Sequence, residues 1–156
     1  MKIFIVSAVL VFLAFTQAFA LGTEKHCLAL NVYHEARGQS QEDQLAVAHT
    51  TLNRVQSERF PDSVCEVVTQ AKKRGGKPVR NKCQFSWYCD GKSDEPKNEE
   101  AWTHAKMIAD LAVRWYESGE DFSAGATHYH ANTIEAWWAK HMSQTVRLDG
   151  HTFYSE

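Results

Sequence analysis

The sequence predicts an α+β fold, with helices through the first two thirds and a small antiparallel sheet at the end. Apolar residues recur at helical spacing in four segments before residue 120. Beyond it, short alternating runs rich in β-formers flank an Asp149-Gly150 pair. Length sets the frame: 156 residues suffice for one domain with a proper core, not two. No internal repeat and no Pro-, Gly- or Ser-rich linker divides the chain, so residues 21–156 are expected to form a single domain.

The first residues stand apart. MKIFIVSAVLVFLAFTQAFA carries one charge, Lys2, then an apolar run from Ile3 to Phe15 and an A-x-A site at Ala18-Phe19-Ala20. That is the plan of a secretory signal peptide over residues 1–20, and the run is short for a bilayer span. An uncleaved, transient membrane anchor is the alternative. Export gives meaning to Cys27, Cys65, Cys83 and Cys89: an even count predicts two disulfides with three possible pairings. The preferred pairing is Cys83–Cys89 across a short loop and Cys27–Cys65 between the first helix and a later one. A four-cysteine zinc site competes, but the chain has no C-x-x-C pair.

The elements follow in order. Over residues 24–37, Leu28 and Val32 recur at i and i+4, and Glu35 continues the stripe at i+7. Gly38 ends that helix. Ser40-Gln-Glu-Asp43 resembles a capping box, with Asp in place of Glu, before a helix turning Leu45, Ala48, Leu52 and Val55 inward. Phe60-Pro61-Asp62-Ser63 breaks the chain and caps a short helix with Val64, Val67, Val68 and Ala71 apolar. Residues 72–82 read as a basic loop, six Lys or Arg in eleven positions around two adjacent glycines. The longest helix, residues 98–118, is built on Trp102, Ala105, Ile108, Ala109, Ala112, Trp115 and Tyr116 and stopped by Gly119. Ala126 to His130 reads as a strand, and 144–148 with 151–154 as a hairpin around Asp149-Gly150.

Glu35 is the residue whose setting suggests chemistry. On the inward stripe its carboxyl is withdrawn from water, and at a helix end it meets the negative pole of the helix dipole. Both effects raise its pKa. A carboxyl that keeps its proton near neutrality suits protonation of a leaving sugar oxygen. The bland alternative is a helix-end glutamate paired with Arg37.

Tyr33-His-Glu-Ala-Arg-Gly38, Leu45-Ala-Val-Ala48, Leu52-Asn-Arg-Val55, Phe60-Pro61, Cys83-Gln-Phe-Ser86 and Gly150-His-Thr-Phe-Tyr154 follow one another in a recognisable order. Over about residues 26–154 the chain resembles the SleB-type cell wall hydrolases, the family of spore cortex-lytic enzymes and their phage and bacterial relatives. The resemblance implies a lysozyme-like domain that cleaves the glycan strands of peptidoglycan, with Glu35 as acid and base. It further implies lytic transglycosylation, in which the muramic 6-hydroxyl attacks C1 and one acid suffices; a muramidase would need a second carboxylate. Asp43, Asp90 and Glu135 are candidates for that second acid without distinguishing context. No cofactor is implied.

Around Glu35, Gln84, Phe85, Ser86 and Trp87 lie inside the proposed Cys83–Cys89 loop and suit an amino sugar, with packing the competing role for Phe85. His128 and His130 share one strand face and Tyr129 takes the other; the resemblance sets this segment along the cleft. Tyr129, His130 and Trp138 are therefore expected on the substrate side, with one of Trp137 and Trp138 in the core. Ala136 stands where the family's V-x-P-x-W pattern has proline, which puts the shape of that loop in question.

Two other functions compete. A metal-dependent amidase or peptidase would use His34, His128 and His130, but His34-Glu35 lacks the second histidine of H-E-x-x-H because position 38 is Gly38. A secreted wall-binding module is the other. The basic loop suits an anionic wall or lipid surface, or plain solvation, and no nucleic-acid motif accompanies it. The expected partner is the peptidoglycan strand, met by a monomer.

Overall fold

A computed structural model describes residues 22–156, so the signal-peptide expectation over residues 1–20 lies outside the described residues. Helix α1 covers residues 22–35 and buries Leu28, Asn31 and Val32 completely. It ends where Gly38, at φ +86°, takes the left-handed conformation that closes a helix C-terminus. Glu35 is thus the last helical residue.

Helix α2 (Gln41–Val55) starts at Ser40, whose hydroxyl accepts from the Asp43 amide at 3.3 Å. Only half of the capping box forms. The Asp43 side chain reaches instead to Gly150 and His151, more than a hundred positions away. α2 is buried on nearly every side because it separates two cores. On one flank Leu45 and Ala48 join Leu28, Val32, Ile108 and Ala109; on the other Ala46 and Val47 meet Ala36, Ala126 and Phe153. The end of α1 that carries Glu35 thus packs on this enclosed helix through Ala36.

Helix α3 (Val64–Val68) is capped by Ser63 and held to α1 by the Cys27–Cys65 disulfide, with Cα atoms 5.2 Å apart. Ala71, expected on this helix, begins a strand. Residues 72–82 are not a loop but most of a hairpin, β1 (Ala71–Arg74) and β2 (Lys77–Cys83), reversed at Gly75 and Gly76. Neither face of that hairpin is buried, so it shows none of the apolar alternation that marks a strand. A 3-10 turn (Ser86–Cys89) follows, tied back to β2 by Cys83–Cys89.

Helix α4 (Glu99–Glu117) is capped by Asn98 and packs Ala105, Ile108, Ala109 and Ala112 against α2. The final sheet, β3 (His128–Ala131), β4 (Ser143–Arg147) and β5 (His151–Ser155), is antiparallel in the order β3-β5-β4. Its register pairs His128 with Tyr154 and Tyr129 with Phe153. Side chains alternate across a strand, so Tyr129 and Phe153 face α2 while His128, His130 and Tyr154 share the outer face. The architecture is α+β, with one more small sheet than the sequence suggested. Among the described residues no helix is long and apolar enough to cross a membrane.

Candidate active site

Glu35 is half-buried where the end of α1 meets the inner face of β3. The Tyr129 hydroxyl donates to its Oε2 at 3.1 Å. The Asn31 side chain also acts on that hydroxyl, lowering its pKa against the larger effect of burial. Asn31 is in turn fixed from two sides: its Nδ2 donates to Thr51 Oγ1 at 3.1 Å, and the Trp87 indole donates to its Oδ1 at 3.1 Å. A buried polar group with partners on every side holds one orientation, because any other leaves a donor unpaired.

Behind Tyr129 lies a second layer. Its ring meets the His151 ring edge-on at 5.2 Å. His151 Nδ1 lies 2.5 Å from Asp43 Oδ1; the carboxylate accepts, so this nitrogen carries the proton. Asp43 Oδ2 accepts from the Gly150 and His151 amides at 2.7 and 3.1 Å. Arg54, also buried, donates through Nε to the Thr127 carbonyl at 2.6 Å. Its guanidinium lies between the rings of Phe60 and Phe85, 5.2 Å from each centroid. Its Nη1 finds no hydrogen-bond partner among the described residues, which leaves its charge only partly compensated.

Burial is the dominant influence on Glu35 and raises its pKa. The Tyr129 hydrogen bond and the nearby charges of His151, Arg54 and His34 oppose it without cancelling it. The same groups would steady the carboxylate once a proton has left. Glu35 is thus a carboxyl that holds its proton beyond the ordinary range, beside groups suited to its ionised form. Tyr129, partly buried and next to Glu35, has its own pKa pushed well up, desolvation being the main cause, and stays a donor.

Beside the acid, His34 donates through Nε2 to the Asp94 carbonyl at 2.9 Å and stacks on Trp87, ring centroids 4.7 Å apart. His34, Arg37, Ser86, Trp87 and Asp94 line a cavity of about 390 Å³.

The sequence-selected residues divide. Tyr129 contacts Glu35 directly. Ser86 is exposed in the wall of the adjacent cavity, and Gln84 is exposed just before it. Phe85 is buried beneath Arg54. His130 and Trp138 are not brought to Glu35. They pack together on the outer sheet face, with His130 Nε2 and the Tyr154 hydroxyl 3.0 Å apart and Trp138 5.5 Å from the Tyr154 ring. Trp137 is 78% exposed, leaving Trp138 as the packed member of the pair. Among the described residues no three His, Cys, Asp or Glu side chains are grouped to hold a metal ion, so the His34, His128 and His130 alternative finds no geometric support. Sequence reasoning gave no role to Asn31, Arg54 or His151. Arg54 and His151 stand inside the L-N-R-V and G-H-x-F motifs, and a charge at an otherwise apolar helix position was the available signal.

Residues 38–154 match the family model described as Cell Wall Hydrolase; the match starts three residues past Glu35. The chain belongs to the cell wall hydrolase family. This cell wall hydrolase is 32% identical over 127 residues to the spore cortex-lytic enzyme of Halalkalibacterium halodurans, covering 81% of the chain and 33% of that protein. It is 30% identical to the spore cortex-lytic enzyme of Bacillus subtilis, over 81% of the chain and 35% of that protein. The chain thus spans about a third of the length of the curated relatives it matches. Its fold superposes on the catalytic domain of the germination-specific lytic transglycosylase SleB from Bacillus anthracis. The TM-score is 0.63 at 27% identity, over 85% of this chain and 93% of that one. The SleB catalytic domain of Bacillus cereus gives a TM-score of 0.60 over 85% and 91%. The fold is lysozyme-like, as the resemblance implied.

Proposed function

We propose that the chain is an exported peptidoglycan lytic transglycosylase with Glu35 as its acid and base. The observation that carries this is the half-buried Glu35 carboxyl, its pKa raised by burial and one oxygen held by Tyr129. Glu35 gives its proton to the glycosidic oxygen between muramic acid and glucosamine, and the C1–O bond breaks. The resulting carboxylate, steadied by the Tyr129 hydroxyl and the Arg54 charge, takes the proton of the muramic 6-hydroxyl as that oxygen attacks C1. The product is a 1,6-anhydro sugar, and Glu35 is protonated again.

Commitment of the other acids supports one-carboxylate chemistry. Asp43 is fully buried with three donors on it. Asp90 accepts from the Lys92 amide at 2.8 Å. Glu135 lines a groove with His130 on the outer sheet face. None is free beside Glu35 to act as the nucleophile or water-activating base of a glycoside hydrolase. Gln84 and Ser86 are proposed to contact the sugar at the cavity wall, with Phe85 supporting Arg54. His130 and Trp138 would touch only a distant part of a strand. The apolar segment 3–15 and the two disulfides support export, and the site lies within one chain, as a monomer requires.

The test is Glu35→Gln with mass spectrometry of digested peptidoglycan. The unsubstituted chain is expected to yield anhydro-muramic ends, and the variant to lose activity by about 10²–10⁴-fold while melting normally. Full activity in the variant overturns the assignment, and reducing ends in place of anhydro ends make the chain a muramidase.

A further inference from the structure

We infer that the β1–β2 hairpin is a docking surface for the carboxylate-bearing stem peptides of peptidoglycan. This rests on the cell-wall reading above and extends it to residues that reading leaves without a role. Positions 72–82 hold six of the chain's seventeen Lys and Arg and none of its nineteen Asp and Glu. Lys72, Lys73, Arg74, Lys77, Arg80 and Lys82 are all exposed. Among the described residues none of the six forms an ion pair, although lysines and arginines elsewhere do, as in Lys25–Asp110 and Arg114–Asp110.

Folding alone gives no reason for this arrangement. Arg74 stands directly opposite Lys77 across the hairpin, and like charges so placed destabilise a strand pair. The hairpin nonetheless has a fixed place. The Arg80 Nε donates to the Asp90 carbonyl at 3.2 Å, and its guanidinium lies over Gly91. The Cys83–Cys89 disulfide ties the base of β2 to the turn carrying Ser86 and Trp87. Asp90, Ser86 and Trp87 all line the cavity beside His34. Arg80 therefore borders the cavity lined by His34, Ser86 and Trp87, and the other five cations continue along the same hairpin.

The ligand follows from chemistry. The sugar rings of a glycan strand are largely neutral, whereas the stem peptides branching from muramic acid carry free carboxylates. Peptides flanking the bond under attack would project over this border. A lipid surface fits less well, because the hairpin offers only Pro78 and a half-buried Val79 and no aromatic or leucine anchor. Nucleic acid fits less well too, since no aromatic residue interleaves the cations for base stacking.

The experiment measures sedimentation with insoluble sacculi, in a Glu35→Gln background that cannot cut them. Intact sacculi are compared with sacculi whose peptide carboxylates have been converted to neutral amides, which leaves the cross-linked network insoluble. The native hairpin is expected to prefer intact sacculi by roughly tenfold, the scale of a modest focusing field. That preference should vanish near about 1 M salt, where screening is nearly complete at contact distance. Substituting Lys72, Lys73, Arg74 and Lys77 by Gln should abolish it. The milder pair Arg74→Gln and Lys77→Gln should reduce it while melting normally, which separates binding from misfolding. Equal binding to both sacculi, or an unchanged preference in the folded variants, overturns the inference. Stronger binding to phosphatidylglycerol vesicles than to intact sacculi overturns it in favour of a lipid. A native chain that shows the preference yet releases no glycan fragments overturns the catalytic reading alone.

Discussion

Set side by side, the β1–β2 and β4–β5 hairpins use glycine for different ends. At the tip of β1–β2, Gly75 and Gly76 have φ of +59° and +78°, the pair of left-handed residues that a tight two-residue reversal needs. In β4–β5, Gly150 has no such φ and is there for space. A Cβ on it would run into the Gln39 side chain and stand 2.9 Å from Asp43 Oδ2. The polar groups differ in the same way. Those around Gly150 and His151 are dry and partnered, and they brace the acid; the cations of β1–β2 are wet and, among the described residues, form no ion pair. One hairpin supports a proton and the other presents charge, and the difference is made by what lies against each.

Breaking the dry hairpin should have the larger effect. Gly150→Ala forces a methyl onto a buried carboxylate that three donors hold in place, and is expected to destabilise by about 1–3 kcal/mol, as overpacking does. Pairing it with Gln39→Ala should recover little, because Asp43 cannot move. Urea unfolding measures both, and full recovery in the pair would show that only the flexible glutamine stood in the way.

Tyr129→Phe comes next. It removes the donor to Glu35 Oε2, whose effect is to lower that pKa, so the alkaline limb of the activity profile should move to higher pH. The rate should fall by on the order of tenfold or more, since the carboxylate left after proton transfer loses a preorganised donor. An unmoved pH profile would make Tyr129 a packing residue.

Arg74→Thr at the wet hairpin should be the smallest effect and the opposite in sign. Removing one of two facing like charges is expected to stabilise by about 0.2–1 kcal/mol in low salt while weakening attachment to intact sacculi. A loss of stability would mean Arg74 serves the fold.

These contrasts also mark what was legible beforehand. Local periodicity revealed the helices, the end of α1 at Gly38 and hence the placing of Glu35, because each depends on neighbours within a few positions. The β1–β2 hairpin was hidden because a strand with no buried face has no alternation, although adjacent glycines between charged runs pointed to a reversal. The bracing of the acid was hidden for another reason. Asp43 and His151 lie 108 positions apart, and nothing local distinguishes a cap residue that also anchors a distant turn. His130 and Tyr129 were already expected on opposite faces of one strand, and only the register of β3 on β5 decides which of the two faces meets Glu35.

Burial holds the proton on Glu35, and titration of its carboxyl by carbon-13 NMR reads that proton itself. The Glu35 midpoint is expected above the ordinary glutamate range. Because the folded state then keeps a proton that the unfolded chain has released, stability should fall as pH rises from the ordinary value to the raised one. Glu35→Gln should remove that decline. A midpoint at or below the ordinary value, with stability level across the window, would mean that burial does not hold the proton on Glu35.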